Sequence, residues 1–113
     1  MTEPPEVPSP ARPECCALCG RDTTLTQHHL IPRTMHRKPR YRRRYSREAM
    51  LKRILWVCRP CHSHLHAVLD ERTLADHYAS REALLEHPDI RAFVDWLAPK
   101  PAGFKPKKRA RRR

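Results

Sequence analysis

The chain has 113 residues, 24 Lys and Arg against 12 Asp and Glu for a formal net charge of +12, and only 39% hydrophobic residues. One small domain with a thin core is expected; no apolar run approaches the ~18 residues that cross a bilayer, and the first residues lack a secretory signal's basic start and apolar stretch. A cytoplasmic location is therefore expected, where thiols stay reduced and the five cysteines favour metal binding over disulfides.

In chain order, residues 1–13 hold prolines at 4, 5, 8, 10 and 13 and are expected to form a disordered leader. Residues 14–69 hold every cysteine and six of the eight histidines, and form the expected functional module. Its first element is a strand over 25–31, stopped by Pro32. A short helix from Arg47 to about Arg53 follows, with Ser46 as cap and Glu48 in its first turn. Ile54-Leu55-Trp56-Val57 suits a buried strand. A helix should run from about Pro60 to Leu69, with proline in its first turn. Residues 70–98 are expected to pack as helices on the module. Ser80 caps one over 81–86 and Pro88 opens the next. There Ile90, Phe93, Val94 and Leu97 form one apolar stripe. Residues 99–113 are expected to be a disordered basic tail.

Two knuckles, Cys16-x2-Cys19 and Cys58-x2-Cys61, together offer four thiolates to one tetrahedral ion. A structural zinc is the leading reading; four cysteines can also hold iron. A single redox CxxC would leave the second unexplained. Cys15 is a spare thiol.

His62 and His66 lie one helical turn apart on one face, a standard spacing for two imidazoles on one metal. His64 points elsewhere, with no evident partner. Alternatively, His62 or His66 completes the zinc site in place of a cysteine. His28 and His29 are adjacent on a strand, so their side chains diverge. One can bind metal while the other stays free as a base near neutral pH.

The motifs Cys16-x2-Cys19, His28-His29-Leu30-Ile31-Pro32-Arg33 and Cys58-x2-Cys61-His62-x3-His66 together resemble the HNH endonucleases of the four-cysteine zinc subgroup. The resemblance covers roughly residues 15–69. It implies a small zinc-stabilised α+β fold with a ββα-metal core, and hydrolysis of phosphodiester bonds in DNA. It implies that His28, His62 and His66 hold one catalytic divalent metal (Mg²⁺, Mn²⁺, Ni²⁺ or Zn²⁺) and that His29 is the general base. Where the family usually carries Asn, this chain carries Arg53, and it has no asparagine anywhere. Arg53 is expected to contact a phosphate oxygen, since guanidinium binds phosphate bidentately.

Sixteen of the 24 Lys and Arg residues fall in 33–47 and from 100 onward. Arg33, Arg37, Lys38, Arg40, Arg42, Arg43 and Arg44, interleaved with Tyr41 and Tyr45, are expected to form a loop that binds phosphates while the tyrosines stack or hydrogen-bond. An ordinary solvated basic surface is the competing reading. Nucleic acid, DNA in the first instance, is the expected partner, with neither membrane nor small-molecule substrate. The alternative to an endonuclease is a zinc-finger-like nucleic-acid-binding protein that has lost the chemistry. A third reading is a zinc scaffold for protein partners with a basic RNA-binding arm.

Overall fold

A computed structural model describes residues 11–106. The expectations for residues 1–10 and 107–113 lie outside the described residues. The fold is α+β. Strand β1 (Leu25–His29) pairs antiparallel with β2 (Ile54–Cys58), Leu25 opposite Cys58 and His29 opposite Ile54. Helix α3 (Arg59–Val68) leaves β2 without an intervening loop, Pro60 in its first turn. β1 ends two residues before its expected limit. There the Leu30 N–H donates to the Arg53 carbonyl at 3.0 Å, and the chain bends away.

The segment before β1 folds as a tight knuckle. The Cys16 N–H donates to the Arg21 carbonyl at 2.9 Å and the Gly20 N–H to the Cys16 carbonyl at 3.0 Å. Gly20 closes it at φ 81°, a left-handed conformation that costs any other L-residue about 1–2 kcal/mol. The Ala17 N–H donates to the Trp56 carbonyl at 2.9 Å and so ties the knuckle to β2.

The segment before the expected helix at Ser46 departs from the expected loop: it contains a 3-10 turn (Arg33–Met35) and helix α1 (Pro39–Arg42). The expected helix after Ser46 is α2 (Arg47–Lys52), and that cap accepts from the Ala49 N–H at 3.0 Å. The cause of the departure is a second small core of Ile31, Tyr41, Met50 and Ala75. Tyr41 is therefore interior rather than free to stack on a base. Its hydroxyl donates to Asp76 Oδ1 at 2.6 Å, and Arg40 reaches the same oxygen at 3.1 Å.

Three helices complete the fold. Helix α4 (Glu71–His77) begins at Asp70, whose Oδ1 accepts from the Thr73 N–H at 2.8 Å. Helix α5 (Arg81–Glu86) begins at its expected cap Ser80. Helix α6 (Pro88–Leu97) packs on α3 and α5 and buries Ile90, Val94 and Leu97. Phe93 of the same stripe stays half-buried and stacks on His64 at a ring-centre distance of 4.0 Å. His64 also meets Asp89 at 2.9 Å, so it has partners the sequence did not disclose. The four knuckle cysteines sit inside the main core with Leu25, Val57, Leu65 and Leu97.

The first residues of the expected disordered tail are held in place. The Phe104 N–H donates to the Pro101 carbonyl at 2.9 Å. Buried Arg21 donates through Nη1 to the Pro101 and Phe104 carbonyls at 2.8 and 3.1 Å. No helix among the described residues is long and apolar enough to cross a membrane.

Candidate metal centres and basic cleft

The two knuckles converge. The sulfurs of Cys16, Cys19, Cys58 and Cys61 all lie within 4.8 Å of one another, and all four residues are buried. Cys19 Sγ and Cys58 Sγ are 3.7 Å apart. Two sulfurs on a tetrahedral zinc, each at about 2.3 Å, stand about 3.8 Å apart. Cys16 Sγ accepts backbone N–H groups of Leu18 and Cys19, each at 3.4 Å, and of Cys58 at 3.3 Å. Hydrogen bonds from the Cys58 and Cys61 side chains and from backbone N–H groups hold the Cys16 thiol far below its ordinary value, despite burial. Bonding to Cys16 pushes Cys58 up to about 11 and raises Cys61 as well. Four thiolates cannot crowd together unaided, and a divalent cation removes that conflict. Arg21 adds a guanidinium 3.7 Å from Cys58 Sγ. This buried four-cysteine group can hold a structural metal. Cys15 stands outside it, exposed.

A second cluster joins β1 to α3. Period-two alternation puts Thr26 and His28 on one face of β1 and His29 on the other. The spacing of four puts His62 and His66 on one face of α3. Ring centres of His28, His62 and His66 form a nearly equilateral triangle with sides of 5.3, 5.3 and 5.1 Å. With metal–nitrogen bonds of about 2.0–2.1 Å and a ring centre about 1.1–1.2 Å beyond each nitrogen, tetrahedral ligation would separate the centres by about 5.2 Å. One ligand nitrogen from each lies within 4.8 Å of the others. No cysteine joins this triangle and no histidine joins the four sulfurs, so the mixed Cys–His site is not formed among the described residues.

His28 is fully buried, and neither of its ring nitrogens has a hydrogen-bond partner among the described residues. Burial, reinforced by the neighbouring histidines, lowers its pKa to about 3 and keeps the ring neutral. Each unmet buried polar atom costs about 1–3 kcal/mol, a cost that a metal–nitrogen bond removes at one of them. Burial is graded across the triangle: His62 is half-buried and His66 exposed. The triangle is thus buried at His28 and reaches the surface at His66.

No protein-family model and no solved structure matches the chain. It is 33% identical over 87 residues to "Uncharacterized protein YisB" of Bacillus subtilis (strain 168), an alignment covering 76% of this chain and 75% of the relative. The chain belongs to the YisB family. The name YisB states no activity.

His29 is half-buried, its ring centre 6.3 Å from that of His36. Burial first, then the charges of Arg33 and His36, lower its pKa and favour the neutral ring. Beyond His36 opens a cleft of about 630 Å³ lined by Arg33, Arg37, Arg42, Arg47, His36 and Tyr45 among others, with no acidic side chain among the described residues of its wall. All seven expected nucleic-acid-binding residues are exposed. Only Arg33, Arg37 and Arg42 of them line the cleft; Lys38, Arg40, Arg43 and Arg44 do not. Arg53 lies with its guanidinium carbon 4.9 Å from the Tyr45 ring centre, and Arg44 approaches the same ring at 5.7 Å. The Arg53 Nε is buried without a partner.

Sequence reasoning missed Thr26, Arg21 and His36. Thr26 was the most accessible of these: it sits two residues before His28, so strand alternation alone places it on the same face as His28.

Proposed function

We propose that the protein is an HNH-type endonuclease with a ββα-metal core built from β1, β2 and α3, hydrolysing phosphodiester bonds in DNA. The observation that carries this reading is His28, buried with both ring nitrogens unmet at one corner of the imidazole triangle. His28, His62 and His66 would hold one divalent cation, whose charge stabilises the phosphate and the leaving oxygen. A structural zinc on the four cysteines would fix the end of β2 and the start of α3, and with them the histidine spacing. A cytoplasmic setting would keep those thiols reduced.

His29, neutral near pH 7, takes a proton from the attacking water as the water oxygen bonds to phosphorus. The phosphorus–sugar oxygen bond breaks, and the departing oxygen is protonated from solvent. The arginines of the cleft bind flanking phosphates and hold the strand against the triangle. Tyr41 is buried and bonded to Asp76, so stacking on a base falls to Tyr45, which lines the cleft; Arg53, packed on the Tyr45 ring, would make the phosphate contact.

The second reading, a nucleic-acid-binding protein without chemistry, is favoured by Arg53 at the position where HNH endonucleases usually carry Asn. A plasmid-nicking assay with Mg²⁺, Mn²⁺, Ni²⁺ or Zn²⁺ separates the two. Nicking by the wild type that falls at least ~100-fold in His29→Ala supports the enzyme, general-base catalysis contributing about 10²–10⁴-fold. Equal nicking by both proteins rejects His29 as the base. Tight, salt-sensitive binding without cleavage under any metal supports the second reading.

A further inference from the structure

Resting on the metal site proposed above, we infer that Thr26 is a positioning residue that locks His62 in the tautomer presenting Nε2 as the ligand nitrogen. The Thr26 hydroxyl lies 3.0 Å from the Val57 carbonyl oxygen and 2.8 Å from His62 Nδ1. A carbonyl oxygen can only accept, so the single hydroxyl proton belongs to the bond with Val57. The hydroxyl oxygen then has only lone pairs to offer His62, and His62 Nδ1 must carry the hydrogen. A neutral imidazole has one N–H, so Nε2 is left with its lone pair free.

The relay depends on the sheet. Thr26 is directly opposite Val57 in the register, so its hydroxyl finds that carbonyl without leaving its own strand pair. It also shares the ligand-bearing face of β1 with His28. One strand therefore supplies a ligand, His28, and the group that orients a ligand on the facing helix. His62 needs this restraint more than His28 does. His28 is fixed by complete burial, whereas His62 is half-exposed and its ring would otherwise be free to turn or exchange tautomers.

The test uses the full-length chain loaded with one zinc equivalent for the cysteines, in wild-type, Thr26→Val and Thr26→Ser forms. Side-chain ¹⁵N spectra, recorded before any further cation is added, read the His62 tautomer. Titration with Co²⁺ then reads the affinity of the histidine site through visible bands that lack sulfur charge transfer. The wild type should show His62 protonated on Nδ1. Thr26→Val should lose that preference and bind Co²⁺ about 10–100-fold more weakly, the usual effect of removing a ligand's hydrogen-bond partner. Thr26→Ser, which keeps the hydroxyl, should restore both. A wild-type His62 protonated on Nε2 overturns the inference, and this holds even where Thr26→Val fails to fold. Unchanged tautomer and affinity in Thr26→Val overturns it too. Failure of the wild type to bind Co²⁺ at the histidines overturns the metal site itself and leaves the tautomer result standing by itself.

Discussion

A neutral imidazole moved from water to a protein interior loses hydration at both nitrogens, and a charged one loses far more. His28 bears that loss in full, and pH makes it measurable. Its folded pKa, about 3, lies below the roughly 6.5 of an unfolded histidine. Below pH 6.5 the unfolded chain takes up a proton that the folded chain refuses. Stability is therefore complete above that value and declines as pH falls toward 3. Between pH 8 and pH 5 the loss from this one group is about 2 kcal/mol. Urea unfolding at the two pH values should show it in the wild type and show about 2 kcal/mol less of it in His28→Gln. An identical decline in both would mean that His28 does not carry the pH dependence. The three clustered histidines were legible as residues because four-residue spacing and strand alternation are local properties. The orphaned nitrogens were not, since burial depends on what α3 lays over β1.

The elements are short, and packing rather than propensity sustains them. The first knuckle, the end of β2 and the start of α3 meet at the four sulfurs, so a metal there joins three elements that local hydrogen bonds join only weakly. Cys61→Ser, or removal of zinc by a strong chelator, should abolish the cooperative thermal transition and most of the far-UV helical signal. Cys15→Ser should leave the melting temperature within about 4 °C, because exposed substitutions outside special sites shift stability by less than ~0.5 kcal/mol. A chelated protein that melts as the native one does would exclude the metal from the fold. At this scale the caps Ser46 and Ser80 and the first-turn prolines Pro60 and Pro88 announced their helices. Helix α4 carried a comparable signal, Asp70 three residues before Thr73, within a region read only as helical. Helix α1 carried only its first-turn proline, Pro39: Tyr41 in an arginine run reads as surface until Ile31, Met50 and Ala75 enclose it.

For the whole molecule, charge decides the expected partner. The cleft beside His36 concentrates Arg33, Arg37, Arg42 and Arg47, while Asp76 engages Arg40 outside the cleft. Binding to duplex DNA should weaken steeply with salt. Replacing Arg37 and Arg42 together by Gln should reduce the slope of log affinity against log salt by about 2, roughly one unit for each phosphate that is no longer neutralised. Lys38→Gln, outside the cleft wall, should change it less. Equal slopes for all three proteins would remove the cleft from the binding surface.

The amino-acid order alone determined the two knuckles, the helical His62–His66 pair, the β1–β2–α3 succession and the basic excess, because each follows from spacing, capping or composition over a few residues. Tertiary structure decided which of these groups meet. It separated sulfurs from imidazoles into two clusters and buried His28 while leaving His66 exposed. It set Thr26 between Val57 and His62, it withdrew Tyr41 from the basic surface, and it paired exposed Arg40 with Asp76. The reason is geometric. Residues 26, 57 and 62, or 41 and 76, are brought within hydrogen-bond distance by strand register and helix packing, and neither register nor packing is a property of any short stretch of chain.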